Sequence, residues 1–234
     1  MDRLDKILAH LNYGSRKEVK NLIRKGYVKV NGETIFDDDL KVDTDSDEIT
    51  IFSDSVKYDK YVYLMLNKPS GYISATYDPK MPTVLDLVPE YQKMNIFPVG
   101  RLDIDTEGLL ILTNDGHLSY NLLAPKKHVN KKYYVIFEGV FKEEYYKTLQ
   151  EGLDLGDFIT KPSSATLISD NECYINISEG KFHQVKRMFE ALDMKVKYLK
   201  RVEFKNLKLD ENLSLGQYRL LSEEEIEDLK NEER

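Results

Sequence analysis

Apolar and polar residues alternate along this chain in patterns that predict two differently built segments. The first apolar residues have helical spacing and are Leu4, Ile7, Leu8 and Leu11. Ser15, followed by Glu18, forms the pattern of a capping box and predicts a second helix that ends at Gly26. Residues 27–35 then predict a β-hairpin, because Asn31 and Gly32 suit the two turn positions of positive φ. Two short helices and a small sheet are therefore expected in a domain at residues 1–55.

A polar linker is predicted at residues 56–60, and a larger domain at residues 61–234. In that larger segment, strands are predicted near residues 61–66, 109–112, 132–137, 164–169, 172–178, 195–204 and 218–221. Helices are predicted at residues 117–124, 141–151 and 185–192 and after Ser222. The strands and helices do not alternate as βαβ units, so the sequence predicts an α+β fold with a mostly antiparallel, mixed sheet.

The composition indicates an intracellular protein with room for a substantial core. The 234 residues include a single cysteine, Cys173, which cannot form an internal disulfide. No apolar stretch approaches the ~20 residues of a membrane span. We therefore expect a cytoplasmic protein without membrane contact. The alternating pattern around Cys173 predicts that it fills the core.

The net charge of −7 argues against nucleic-acid binding only until its distribution is considered. Residues 1–35 carry a net +4 and residues 181–201 a net +5, whereas residues 203–234 carry −5. The acidic excess thus lies partly at the C-terminal end, in a predicted solvated helix. The two basic segments are free to bind phosphates.

The run from Gly100 to Gly116 holds the densest candidate chemistry. Asp103 follows Arg101 by two residues and precedes a buried strand, so it is expected in a loop held against a rigid core. A calcium loop starting at Asp103 is disfavoured, because its twelfth position is Asn114 and its flanks are not helices. The histidines lack the spacing of a zinc site, and no metal is expected.

Two further clusters point towards RNA. Lysines surround His128 and are followed directly by Tyr133, which suits the gripping of phosphates and stacking on an unpaired base. Lys186 lies near the start of a basic helix, and a cation close to a reactive carboxylate would favour its ionised form and orient it. The alternatives are plain strand packing for the tyrosine and a solvated face for the helix.

Together these segments resemble the RsuA-type pseudouridine synthases, which act on small-subunit ribosomal RNA and carry an N-terminal S4 domain. The S4 resemblance rests on residues 3–6, 15–17 and 28–32. The resemblance to the enzymes rests on Gly-Arg-Leu-Asp-Ile-Asp-Thr-Glu-Gly-Leu at 100–109, Asn-Lys-Pro-Ser-Gly at 67–71, Lys-Lys-Tyr at 131–133 and Gly-Lys-Phe-His-Gln-Val-Lys-Arg-Met at 180–188.

The resemblance implies a role for each matching residue. Asp103 would be the catalytic aspartate, with Lys186 paired to it. Tyr133 would stack on the flipped-out uracil, and Arg101 would fill the gap left in the RNA. Gly71 and Gly100 would shape the cleft. Residues expected to contact RNA are Arg3, Arg16, Lys17, Lys20, Arg24, Lys126, Lys127, Lys131, Lys181 and Arg187.

The implied reaction converts one uridine of 16S ribosomal RNA to pseudouridine without metal or cofactor. Asp103 would either attack C1′ as a nucleophile or remove a proton from C2′ as a base. The partner would be ribosomal RNA, alone or in an assembling particle, and the protein a monomer. Two alternatives remain, namely an enzyme acting on 23S ribosomal RNA and a non-catalytic assembly factor of the same fold.

Overall fold

The chain folds into two compact units. The computed structural model describes residues 1–11, 13–44, 46–56, 58, 60–124 and 127–231. The first unit comprises residues 1–61 and the second residues 62–234. Each unit has its own apolar core.

The described residues of the first unit form two helices and six short strands. Its helices are α1 (Leu4–His10) and α2 (Arg16–Arg24). Its strands are β1 (Asp2–Arg3), β2 (Val28–Val30), β3 (Glu33–Thr34), β4 (Lys41–Val42), β5 (Ile49–Ile51) and β6 (Asp54–Val56). Both halves of the predicted capping box form at α2, since the Glu18 amide donates to Ser15 Oγ and the Ser15 amide donates to Glu18 Oε2.

The first unit ends later along the chain than the domain boundary expected from the sequence. Strand β6 pairs with β5, and the four-stranded sheet has the order β3-β2-β5-β6. The expected boundary after residue 55 therefore falls inside a strand, and the compact unit extends to Tyr61. The polar sequence is misleading here because β6 is an edge strand whose side chains are largely exposed, so its pairing leaves no apolar signal.

In the part of the second unit that the structure describes, nine strands form one sheet. Its strands are β7 (Tyr63–Lys68), β8 (Phe97–Pro98), β9 (Glu107–Thr113), β10 (Lys131–Glu138), β11 (Ser164–Ser169), β12 (Glu172–Ile177), β13 (Lys195–Phe204), β14 (Leu207–Lys208) and β15 (Tyr218–Leu220). Its helices are α3 (Gly116–Leu123), α4 (Glu144–Glu151), α5 (Gln184–Ala191) and α6 (Glu223–Lys230), with 3₁₀ turns at Val84–Leu87 and Pro89–Met94.

The main path of the sheet runs β11-β12-β10-β13-β9-β7-β15. All its pairings are antiparallel except that of β9 with β13. The predicted α+β class with a mostly antiparallel mixed sheet is thus confirmed. Two apolar clusters cover the sheet, and Cys173 is fully buried in one of them. Within the described ranges, no helix is long and apolar enough to cross a membrane.

At Gly108, β9 and β13 lie too close together to leave room for a side chain. Its φ is +100°, and a Cβ built there would lie 2.2 Å from the backbone oxygen of Arg201. Gly108→Ala should therefore destabilise the second unit by about 3 kcal/mol, because neither backbone can yield without breaking the pairing. Thermal unfolding checks this expectation against Gly116→Ala, where a Cβ meets nothing within 4 Å. Equal stabilities of the two variants would contradict it.

Candidate active site

One row of residues crosses the four central strands and carries the site. Lys68 of β7 pairs with Gly108 of β9, Gly108 with Arg201 of β13, and Arg201 with Tyr133 of β10. Arg201 is 2 % exposed, and its Nε donates to the Leu109 carbonyl at 2.8 Å. Burial lowers the pKa of this guanidinium, and the neighbouring Tyr133 hydroxyl acts against that shift. Two cations and an aromatic ring are thus fixed on a rigid sheet.

Lys68 holds the loop that presents Asp103. Its side chain is fully buried, and its Nζ donates to the carbonyls of Asp103, Ile104 and Thr106 at 3.1, 3.3 and 2.9 Å. Nζ also donates to the Pro69 carbonyl at 3.1 Å. Burial lowers the pKa of Lys68 to about 8. The Lys68 ammonium therefore holds together the three carbonyl groups of the loop that carries Asp103.

The turn after β7 supplies a second set of contacts to the same loop. The Gly71 amide donates to the Ile104 carbonyl at 2.8 Å, at a φ of +89° that suits glycine. Ser74 Oγ both donates to the Leu102 carbonyl and accepts from the Leu102 amide, each at 3.0 Å. These contacts fix the backbone on both sides of Asp103.

The Asp103 carboxylate faces two basic side chains from the start of α5. Lys186 Nζ lies 3.2 Å from Asp103 Oδ2 and 2.5 Å from Asp105 Oδ1. His183 Nε2 lies 3.7 Å from Asp103 Oδ1. The pKa of Lys186 is raised, because the hydrogen bonds to Asp105 and Asp103 outweigh the burial that acts to lower it. Lys186 is therefore a stable cation that orients the carboxylate.

Asp103 lines a cavity together with two of the predicted substrate residues, Arg101 and Tyr133. Arg101, Tyr133 and His183 line it together with Asp103. Its apolar wall comes from Leu102, Ile177, Val185 and Leu199. Tyr133 is 7 % exposed, so its ring contributes a wall and does not project into solvent. The cavity is therefore bordered by a carboxylate, a phenol and aliphatic groups.

A larger cavity of about 420 Å³ adjoins the first and shares Arg101, Tyr133 and Lys181 with it. Its basic lining residues are Arg101, Lys131, Lys161, Lys181 and Arg201, and Glu179 is the acidic one. Burial, assisted by the charge of Arg201, lowers the pKa of Lys131 to about 8. This lining suits a polyanion that passes the Asp103 cavity.

The acids of the Asp103 run are engaged by protein groups. Asp103 and Asp105 bond Lys186, and Glu107 accepts a hydrogen bond of 2.7 Å from the Tyr198 hydroxyl. Among the described residues, no group of three or more His, Cys, Asp or Glu side chains is placed to hold a metal.

Comparison with known proteins assigns the family. A family model described as RNA pseudouridylate synthase matches residues 62–191, and a model of the S4 domain matches residues 2–49. The chain belongs to the RNA pseudouridylate synthase family. The predicted order of an S4 domain and a pseudouridine synthase domain is thereby confirmed.

Several relatives are similar to this synthase over nearly their whole length. It is 45 % identical to the RNA pseudouridine synthase YtzG of Bacillus subtilis, covering 96 % of each chain. It is 38 % identical to the ribosomal large subunit pseudouridine synthase B of Bacillus subtilis, covering 98 % of this chain and 96 % of the relative. It is also 38 % identical to the ribosomal small subunit pseudouridine synthase A of Pseudomonas aeruginosa, covering 96 % and 98 %. A crystal structure of a pseudouridylate synthase matches with a TM-score of 0.70 and 35 % identity, over 98 % of this chain and 100 % of that chain.

The predicted RNA-binding residues of the first unit are mostly ion-paired within it. The paired cations are Arg3, Arg16, Lys20 and Arg24, and their partners are Asp5, Asp38 and Asp39. The Arg24 guanidinium makes a close contact, with Nη2 2.6 Å from Asp38 Oδ2. Lys17 is exposed. The basic surface expected from the sequence is therefore partly offset by acids, and its contact with RNA stays a prediction.

The remaining predicted RNA-binding residues differ in their accessibility. Lys127 is exposed, whereas Lys131 is half-buried and donates to the Val129 carbonyl at 2.8 Å. Lys181 lies over the Phe158 ring at 4.8 Å. Arg187 pairs with Asp157, so it braces a loop of the synthase domain. Lys126 lies outside the described residues.

Two positioning side chains are not evident from the sequence. Lys68 belongs to the predicted turn motif at residues 67–71. In the structure it is the last residue of β7, and its side chain is buried. Gln184 is 3 % exposed and ties the turn before α5 together, because it donates to Glu179 Oε1 at 2.8 Å and accepts from the Lys181 amide at 2.9 Å. The family motifs include both residues, but their spacing along the chain does not reveal these contacts.

Proposed function

We propose that this synthase isomerises one uridine of small-subunit ribosomal RNA to pseudouridine, with Asp103 as the catalytic residue. The observation that carries the proposal is the cavity in which Asp103, Arg101 and Tyr133 meet, with Lys186 Nζ 3.2 Å from the carboxylate. In this arrangement Lys186 orients Asp103, and Tyr133 stacks against the extruded uracil. Arg101 is exposed at the rim and occupies the space that the base leaves.

The reaction rearranges bonds without oxidation or reduction. The N1–C1′ bond of uridine breaks, the uracil turns within the cavity, and C5 bonds to C1′ while its hydrogen leaves as a proton and N1 gains one. Asp103 would act in one of two ways. It either attacks C1′ and is later displaced by C5, or it takes the C2′ proton and returns it to C2′ as C5 bonds to C1′.

The small ribosomal subunit is favoured by the Gly-Arg-Leu-Asp-Ile-Asp-Thr run at residues 100–106. The relative named for the small subunit and the relative named for the large subunit are both 38 % identical to this chain. Overall identity therefore does not separate the two targets, and the test must offer both RNAs. The proposed substrate is the small-subunit RNA, either naked or in an assembling particle. In either form, an irregular RNA structure lowers the cost of flipping the target base.

Tritium release tests the proposal directly. Small- and large-subunit ribosomal RNAs carrying tritium at uracil C5 are incubated with the protein, as naked RNAs and as partly assembled particles. Release from small-subunit RNA alone is expected, since forming the C5–C1′ bond expels that hydrogen. Release only from large-subunit RNA would move the target to the other subunit. Binding without release from any of the four substrates would leave an RNA-binding assembly factor.

The first unit should serve as a targeting module. A chain cut after Tyr61 removes it without dividing β6, and we expect kcat/KM on structured ribosomal RNA to fall by about tenfold or more. The plot of log affinity against log salt should become shallower by about 0.7–0.9 for each phosphate that the first unit neutralises. Circular dichroism checks that the remaining domain is folded. A truncated enzyme with full activity and an unchanged salt slope would exclude this role.

A further inference from the structure

An exposed aromatic pair adjoins the catalytic cavity. The Phe182 side chain is 74 % exposed. Its ring lies parallel to the His183 imidazole, with centroids 3.8 Å apart and planes inclined by 18°. A single exposed phenylalanine is common on protein surfaces. A phenylalanine stacked face to face on a residue of the catalytic cavity is a more specific arrangement.

The imidazole connects this pair to the reacting centre. The edge of His183 points towards Asp103, with Nε2 3.7 Å from Oδ1, and His183 lines the cavity. The face of the same imidazole is covered by Phe182. The phenyl ring therefore lies one ring spacing away from a group that borders the target base.

The backbone below the pair is held in an unfavourable conformation. His183 has φ +50°, a left-handed value that costs energy for a residue other than glycine. The buried Gln184 fixes the turn through Glu179 and the Lys181 amide, and the Arg187 amide donates to the His183 carbonyl at 3.0 Å. The rings are thus presented in a preformed orientation, which lowers the entropic cost of binding.

The charges around the pair favour RNA as its partner. Lys181 precedes it and lines the same cavity as His183 and Arg101. Cations that hold phosphates, combined with an open aromatic face, are the elements of a site for single-stranded nucleic acid. Since the function proposed above places the target uracil in the cavity, the base that meets Phe182 belongs to a neighbouring nucleotide.

We propose that Phe182, supported by His183, is a stacking platform for the unpaired base next to the target uridine. The assignment of that base as the target's neighbour rests on the function proposed above. The platform gives the enzyme a contact with unpaired flanking RNA that a duplex cannot make. It therefore selects sites where the neighbouring base is free to leave its own stack.

The first test measures binding without turnover. The probe is a twelve-nucleotide oligouridine with one 2-aminopurine at its centre, whose fluorescence is quenched on stacking. The full-length protein should quench it, and Phe182→Ala and Phe182→Leu should each weaken binding by about tenfold and relieve the quenching. Phe182→Tyr should bind as the wild type does. Val140→Ala is the matched control, since Val140 is also 74 % exposed. Val140 follows the C-terminal end of β10, whereas Lys131 begins that strand.

The second test measures turnover on the ribosomal RNA that is modified. Phe182→Ala should raise KM by about tenfold with kcat little changed, because stacking acts on bound substrate and transition state alike. Wild-type binding by Phe182→Ala, or by Phe182→Leu, overturns the platform. Quenching that depends on Phe182 in a protein that modifies no RNA would instead retain the platform and reject the proposed reaction.

Discussion

Asp103→Asn is expected to lower pseudouridine formation by about 1000-fold or more while leaving RNA affinity unchanged. The amide keeps the shape of the carboxylate but can neither attack C1′ nor accept the C2′ proton. Both routes open to Asp103 are therefore blocked by the same substitution. Tritium release from uracil C5, measured in single turnover beside a binding titration, checks the two halves of this prediction.

Asp105→Asn is the matched control for that substitution. It makes the same chemical change two residues away, on a carboxylate that also bonds Lys186. The Asp105 side chain is 63 % exposed, against 26 % for Asp103, and Asp103 is the one that lines the cavity with Tyr133. Asp105→Asn should therefore keep activity within about tenfold of the wild type. Loss of activity in this variant, with activity retained in Asp103→Asn, would reverse the assignment.

Deuterium at C2′ of the target uridine separates the two routes. If Asp103 removes that proton in the slow step, single-turnover release of tritium from C5 should slow several-fold. If Asp103 attacks C1′, the C2′–H bond stays intact and the rate should be nearly unchanged. The arrangement of Lys186 at 3.2 Å from Oδ2 suits either route, since it orients the carboxylate in both.

The elements that the sequence predicts well are those with strong local signals. The strand predicted at residues 195–204 is observed with the same bounds, because its alternation continues along its whole length. Helix α2 is predicted from Ser15 and Glu18, whose capping contacts are made within four residues of chain. The Asp103 loop is predicted because a dense polar run stands directly before a continuous apolar strand.

The contacts that the sequence does not predict join residues far apart along the chain. Lys68 bonds carbonyls of a loop 35 or more residues later, and Arg201 bonds Leu109 across 92 residues. Lysine and arginine are almost never fully buried without a partner, so sequence patterns assign them to the surface. The sequence likewise predicts an exposed basic surface on the first unit. In the structure, Asp5 and Asp38 pair with several of its cations.

Lys68→Met should lower kcat by about 100-fold without weakening RNA binding, which would identify Lys68 as a positioning residue. Methionine fills a similar volume but donates no hydrogen bond to the carbonyls of Asp103, Ile104 and Thr106. The loop is then free to shift, and a displacement of about 1 Å at a reacting group is enough for a loss of this size. Single-turnover kinetics and a binding titration give kcat and affinity separately.

The pH dependence distinguishes this role from a general loss of stability. The pKa of Lys68 is lowered to about 8 by burial, so raising the pH through 8 removes a proton and one donor from its hydrogen bonds to the Asp103 loop. Wild-type kcat should therefore fall above pH 8, and this alkaline decline should be absent from Lys68→Met. Stability should change in the opposite direction. The folded pKa lies below the ordinary 10.5, the unfolded chain binds more protons between pH 8 and 10.5, and this group favours folding as the pH rises there.

Lys131→Met controls for the second lysine with a pKa lowered to about 8. Its ammonium donates to the Val129 carbonyl, so its proton has no direct contact with the Asp103 loop. The alkaline decline of kcat should persist in Lys131→Met if the hydrogen bonds of Lys68 produce it. If the decline disappears in Lys131→Met and remains in Lys68→Met, it arises from Lys131 in the larger basic cavity. The hydrogen bonds of Lys68 to the Asp103 loop would then have no part in the pH profile.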